Sequence, residues 1–352
     1  MARVWHTGFE LGNPEHDLTS FVGARVTPGL LGSSYAIRGD PYAFYGAEFW
    51  TKNITPVSEI YFAEHAIAGY GPNYLDENAF VAWQHGSTML GSIRPTPTTR
   101  LWAAYVGNTA VAWSVAPNAV PVDVVVRLDV RVKIADANAN PALTGRIQLW
   151  ADGLLVIDFS GDTKPGADTT IDFLRSFVCA TPGGYGGMGL TVDNLMLNDT
   201  TGDPPDNGRI GDKRVVCGIA AADGTYTQWT PINAGLHHDE VDERPADDDS
   251  TFVIAASNDF KDSYGVAASG LSNVEITRVW AELTAKKSSA DGTNQIKPIL
   301  ISGATETIDT AKNLASSYAR VVSVDYATDP NTGLPWTVAA LDALEVGVQA
   351  VI

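Results

Sequence analysis

The chain has 352 residues, 23 Lys and Arg against 41 Asp and Glu for a formal net charge of −18, 45% hydrophobic and 18% charged residues, and 33 Gly with 19 Pro. This is the composition of a folded, turn-rich protein larger than one hydrophobic core usually organises, so two domains are expected. Acid in excess in both halves excludes nucleic acid as a partner, and the lack of any apolar run near the ~18 residues of a membrane span excludes membrane insertion.

Met1-Ala2-Arg3-Val4-Trp5-His6 has no basic region followed by an apolar stretch, so conventional secretion is not expected. The first strong element is Val122 to Ile134, where Val124, Val126, Leu128, Val130, Val132 and Ile134 alternate with Asp123, Arg127, Asp129, Arg131 and Lys133. Period-two alternation predicts a strand with one dry and one wet face. Arg146 to Trp150 and Leu154 to Phe159 flank Asp152-Gly153, a pair suited to a type I′ hairpin turn because both positions need positive φ. Gly189 to Asp199 reads as the last strand of this sheet system.

Asn198 to Gly208 is almost pure turn chemistry, with two prolines that remove backbone donors, and places a domain boundary between residues 203 and 204. Beyond it, Arg214–Ile219, Thr251–Ala256, Val274–Ala285, Gln295–Ser302, Tyr318–Tyr326 and Glu345–Ile352 are strand candidates. Asp329-Pro330-Asn331-Thr332-Gly333 makes a turn ahead of a short helix, with Thr337 as its N-cap and Trp336 and Leu341 as a hydrophobic staple. Strands never alternate with long amphipathic helices, so the fold class is all-β: two β-sandwiches of jelly-roll type, residues 1–203 and a smaller one at 204–352.

Several residue groups suggest chemistry. Asp239, Glu240, Asp242, Glu243, Asp247, Asp248 and Asp249 crowd seven carboxylates into eleven residues. Asp242, Asp247, Asp248 and Asp249 are the tentative ligands for Ca²⁺, although EF-hand spacing is absent and a solvated acidic loop is the plainer expectation. No other cofactor is expected. His237-His238 lacks partners at metal-ligand spacing, so zinc is disfavoured. Glu48, Glu59, Glu64, Asp123 and Asp129 could supply a glycosidase pair, but no strand signature sets two carboxylates facing each other. Gly183-Gly184-Tyr185-Gly186-Gly187 lacks the Lys and the helix of a phosphate-binding loop. Cys179 and Cys217, one on each side of the boundary, fit synthesis in a reducing cytoplasm better than a disulfide.

Trp5-His6-Thr7-Gly8-Phe9-Glu10, Gly46-Ala47-Glu48-Phe49-Trp50, the Val122 strand, the Asp152-Gly153 hairpin and Val192-Asp193-Asn194-Leu195-Met196-Leu197 together resemble concanavalin A-like, laminin-G-like sandwiches encoded among phage structural genes. Gly211-Asp212-Lys213-Arg214-Val215, Gly224 to Pro231, Val241-Asp242-Glu243, Asp247 to Thr251 and Asp329 to Thr337 resemble, in order, a module of phage tail and virion proteins. Cys217 and His237-His238 depart from that pattern. The resemblance implies a non-enzymatic virion structural protein at the tail or particle surface, assembled in the host cytoplasm. It also implies association with other virion proteins and with copies of itself, as a trimer by analogy with phage appendages, and attachment to host surface glycan. A capsid decoration protein is the alternative, with a glycan-degrading enzyme further off. Because exposed aromatic rings stack on sugars, Trp83, Trp102, Tyr105 and Trp113 are the candidate glycan-binding residues.

Overall fold

The computed structural model describes residues 3–7, 18, 20–21, 24–26, 30, 36–39, 48–69, 79–96, 99–115, 117–138, 144–177, 189–201, 207–288 and 294–352. The chain forms two compact units, Met1–Val215 and Val216–Ile352, so the division falls later than the turn-rich stretch suggested. Both are built from antiparallel strands, as the alternation patterns predict. No helix among the described residues is long and apolar enough to cross a membrane.

The first unit contains β1 (Arg3–Thr7), β2 (Ser20–Phe21), β3 (Ala24–Val26), β4 (Ala36–Gly39), β5 (Glu48–Val57), β6 (Glu59–Ala68), β7 (Ala79–His85), β8 (Thr88–Pro95), β9 (Trp102–Val106), β10 (Thr109–Trp113), β11 (Val125–Lys133), β12 (Gly145–Ala151), β13 (Leu154–Gly161), β14 (Ile171–Phe177) and β15 (Leu190–Asn198). They make two sheets. Sheet A runs β13-β12-β11-β6-β15-β4-β3 with β1 added on β15, and sheet B runs β10-β9-β8-β7-β14-β5-β2. Sheet B keeps the consecutive run β7 to β10 and sheet A the run β11 to β13, while β14 crosses to lie between β7 and β5 and β15 to lie between β6 and β4. The core between the sheets takes Val126, Leu128, Val130 and Val132 from the dry side of β11, with Ile60 and Phe62 of β6 and Trp50, Trp83, Ile93 and Trp102 of sheet B. The Asp152-Gly153 turn has φ of 47° and 82°, the pair of positive angles its sequence demands.

A bulge on β15 does more than bend the strand. Asn194 has φ of 53°, and pairing with β6 shifts register between Asp193 and Met196. The buried Asp193 carboxylate then accepts from the Leu30 and Asn194 backbone N–H groups, and Asn194 Oδ1 accepts from the Val215 N–H at 2.6 Å. One irregularity thus ties down both an N-terminal segment and the end of the unit.

The second unit contains β16 (Ala220–Thr227), β17 (Thr230–Pro231), β18 (Val253–Ile254), β19 (Lys261–Val266), β20 (Glu282–Ala285), β21 (Gln295–Ser302), β22 (Thr305–Ile308), β23 (Lys312–Asn313), β24 (Ala319–Val322), α1 (Val338–Asp342) and β25 (Glu345–Val351). Its main sheet runs β16-β19-β25-β21-β22, and two two-stranded ribbons, β17-β18 and β20-β24, accompany it. The sequence missed β16 and β19, whose burial does not alternate cleanly, and Arg214–Ile219 forms no strand. The capping prediction matches the structure: Thr337 Oγ1 accepts from the Ala340 N–H at 3.1 Å. The turn before it closes on Asp329, whose carboxylate takes Ser302 Oγ, Thr332 Oγ1 and the Asn331 N–H.

Trp336 is buried with Val279, Leu300 and Leu344, has Leu341 packed beside it, and donates its indole N–H to the Tyr326 carbonyl at 3.0 Å. Trp336→Ala should therefore destabilise the second unit by about 3–5 kcal/mol, as large-to-small core changes do. Thermal melts of the full chain should show one transition lowered and the other unmoved; an unshifted lower transition would refute the packing role.

Candidate functional site

Strand phase in sheet B is set by Trp50 on β5, Leu174 on β14, Val81 and Trp83 on β7, Ile93 on β8 and Ala104 on β9, all in the core. The residues alternating with them turn outward. One outward row crosses the strands through register pairs as Thr51, Arg175, Ala82, Ser92 and Tyr105. A second runs Arg94, Ala103, Trp113, and Phe173 pairs with both Asn53 and Gln84 on the other side. None of these positions is acidic.

Both guanidiniums are held in defined orientations. Arg94 donates from Nε to Ser92 Oγ at 2.7 Å and lies over the Tyr105 ring at 4.8 Å. With its amide oxygen turned toward Arg175, Gln84 accepts from Arg175 Nη2 at 2.9 Å and Nε at 3.2 Å. Ala82, Ser92 and Ala103 are fully buried yet small, and form a low floor between the long side chains. The named positions of these rows carry two oriented guanidiniums and no carboxylate. Each fork can grip a carboxylate or sulfate through two parallel hydrogen bonds.

The four aromatic candidates divide. Tyr105 and Trp113 lie on this face, and Trp113 is 56% exposed. Trp83 and Trp102 are corrected: each is 1% exposed within the core, Trp102 tilted against Phe80 at 5.0 Å, so neither ring can stack on a sugar. Arg94, Arg175 and Gln84 were missed from sequence. The signal was there in Ala79 to Pro95, a hairpin around His85-Gly86-Ser87, but its Ala, Ser and Gly positions blur the alternation.

The wet face of sheet A is a different matter. Arg127 and Asp129, expected in solvent, are 5% and 2% exposed because residues 209–215 lie across them. Arg127 donates to the Lys213 carbonyl at 2.5 Å and to the Gly211 carbonyl, while Asp129 accepts from the Gly211 N–H at 3.1 Å. Arg209 covers Trp150 at 4.6 Å. Burial raises the Asp129 carboxyl above its usual range despite the two arginines beside it, and burial with Arg127 lowers His65 to about 4. This is a closed structural contact.

The acidic loop is also corrected. Asp249 pairs with Lys286 at 2.5 Å and accepts from the Tyr318 hydroxyl, and Asp247 accepts from Thr251. Asp242, Asp247, Asp248 and Asp249 do not converge, and among the described residues no group of three or more His, Cys, Asp or Glu is placed to hold an ion. His237 and His238 sit instead on the Asp262 and Asp223 carboxylates through Nδ1, at 2.9 and 2.8 Å. The Gly183–Gly187 run and Cys179 fall outside the described residues; the Cys217 sulfur lies 3.3 Å from the Gly218 carbonyl.

Of the carboxylates weighed for glycoside hydrolysis, Glu59 is paired with Arg131 and Asp129 is under the strap. Glu64 follows Phe62 in phase, is fully buried, and neither of its oxygens has a partner. Burial pushes its carboxyl well above the usual range, against a smaller pull from Arg127. The group is therefore neutral in the fold, while in the unfolded chain it ionises near the usual ~4.3. Folded protein binds the extra proton, so this group's contribution falls as pH rises above that value. Glu64→Gln should raise the melting temperature relative to the parent by an increment that grows from pH 5 to pH 8. An increment independent of pH would contradict a neutral Glu64.

No family model and no curated protein matches the sequence. Similar solved structures include alginate lyase Aly36B (12% identity, 58% of this chain and 98% of that one, TM-score 0.39) and the cellulose-induced protein Cip1 (11%, 55% and 88%, 0.38). Alginate lyase vAL-1 from Chlorella virus is another, at 11% identity, 56% and 99% coverage and a TM-score of 0.38. These likenesses concern fold alone. The solved structures named here carry the names of glycan-degrading enzymes and of a cellulose-induced protein, and the expectation of a virion structural protein is corrected on this finding.

Proposed function

We propose that the outer face of sheet B binds an acidic polysaccharide. The observation that carries this reading is that Arg94 and Arg175, each oriented by a neighbour, stand in rows whose named positions hold no acid. Uronate or sulfate groups match the two parallel hydrogen bonds that a guanidinium fork can donate. Tyr105, with Arg94 over its ring, gives an amphipathic wall.

A second reading, cleavage of the bound chain, draws on the Tyr105 hydroxyl, which shares its row with Arg175. Guanidiniums that neutralise a uronate carboxylate acidify the proton on the adjacent carbon. A tyrosine can then exchange protons there while the glycosidic oxygen leaves, with a double bond conjugated to the carboxylate as product.

Isothermal titration with polygalacturonate, polymannuronate, heparin and neutral dextran separates the possibilities. The expected result is binding of at least one acidic polymer and none of dextran. Replacing both Arg94 and Arg175 with Ala should weaken that binding by at least about a hundredfold, since each charge-assisted pair contributes roughly 1.5–3 kcal/mol. Equal affinity for dextran, or binding untouched by the double replacement, would overturn the proposal. Growth of unsaturated-uronate absorbance, abolished by Tyr105→Phe, would establish the second reading.

A further inference from the structure

We infer that residues 209–215 form a latch on the outer face of sheet A, and that His65 beneath them releases it in mild acid. The latch is held from the sheet below. Arg127 donates to the Gly211 and Lys213 carbonyls, Asp129 accepts from the Gly211 N–H, and Asn194 Oδ1 accepts from the Val215 N–H. Arg209 covers the Trp150 ring and stands 3.6 Å from the Asp129 carboxylate. The segment forms no strand, so these contacts to side chains of the sheet take the place of a ladder.

His65 lies under the middle of this arrangement. It is the register partner of Arg127 on β11 and of Asp193 on β15, and its Nδ1 stands 3.4 Å from Arg127 Nη1. A guanidinium only donates, so Nδ1 is the accepting nitrogen and Nε2 carries the ring proton, 3.9 Å from Asp212 Oδ1. A second proton, placed on Nδ1, would set donor against donor and cation against cation at the guanidinium that carries the latch. The surrounding carboxylates are badly placed to offset it. Asp212 is 95% exposed and screened by water, and Asp193 accepts from the Leu30 and Asn194 N–H groups. Asp129 is shared among Arg127, Arg209 and Gly211, and Arg214 adds positive charge. Glu64, adjacent in sequence, is turned into the core and stays neutral there with the latch open or closed.

Burial first, and then the Arg127 charge, lower the imidazole to about 4. With the latch lifted the ring meets water and returns toward its ordinary value of about 6.5. Below that value the open form takes a proton that the closed form refuses. Opening therefore gains up to about tenfold per pH unit as the pH falls from about 6.5 to about 4. Asp129 works in the opposite sense: burial raises its carboxyl, so the closed form takes that proton the sooner. A carboxyl starts from an ordinary value of about 3.9, so the imidazole acts first as the pH falls.

The test is amide hydrogen exchange of the full chain from about pH 7.5 to about pH 5, expressed as protection relative to an unstructured chain. The Gly211 and Val215 amides should lose protection by about tenfold or more across that range, while the β6 and β11 amides keep theirs. His65→Asn retains an accepting atom near the position of Nδ1 and removes the titration, so protection of the same two amides should no longer vary with pH. In the unmodified chain the His65 ring resonances should titrate at about 4. Protection that is constant with pH, or that rises toward acid, would overturn the latch. Parallel loss in β6 and β11 would mean general unfolding and would also refute it, as would an unchanged pH dependence in His65→Asn. A His65 ring titrating near about 6.5 would show that the segment does not seal it, and would sink the proposal whether or not the variant folds.

Discussion

Burial of Trp50, Trp83 and Trp102 between the two sheets of the first unit is the constraint from which the surface of sheet B follows. These are among the largest fully enclosed side chains in the protein, and each fixes the phase of its strand. Once Trp83 points inward, Gln84 must point out; once Ile93 does, Arg94 cannot. A slip of one residue would bring the guanidiniums into the core and expose the rings, which the cost of burying unpaired charge forbids. The packing of Trp83 even dictates its neighbour. A Cβ on Gly91 would lie 2.6 Å from the Trp83 ring and 2.4 Å from the Tyr105 carbonyl, so the indole needs glycine there.

The same period-two logic gives sheet A a polar face as well, but there the chain covers it with itself. Residues 209–215 have the composition of a linker and form no strand, yet their backbone groups are matched by side chains of the sheet. A buried arginine is costly unless its donors are satisfied, and Arg127 finds two carbonyls and a carboxylate. Turn-forming composition therefore specified the absence of regular structure without implying freedom from the fold. It also explains why the first unit extends to Val215: Asn194, Asp129 and Arg127 reach forward to hold this segment.

The all-β class, the Val122 strand, the Asp152-Gly153 turn and the Thr337 cap were legible because each depends on local chemistry, either alternation over many residues or a dihedral that few residue types tolerate. The site was less legible. Trp83, Trp102, Tyr105 and Trp113 are equivalent as residue types, and their strands are flanked by Ala and Val, which sit as easily inside as out. Only the sheet pairing resolves them into two core residues and two surface ones. Arg175 belongs to β14, where Phe173 and Leu174 face opposite ways and erase the hydrophobic period. Glu64 was weighed from sequence only as one of five carboxylates; its spacing of two from Phe62 and Ala66 is the local sign that it shares their buried side.

The two faces of the first unit thus differ in a way that bears on function. On sheet A the charges answer one another, as Glu59 with Arg131, Gln148 with Arg131 and Asp158, and Arg146 with Asp158, so an incoming ion would have to displace internal partners. On sheet B, Arg94 is held by the Ser92 hydroxyl and the Tyr105 ring, and Arg175 by the Gln84 amide. A guanidinium that is already oriented has little side-chain entropy left to lose on meeting an anion.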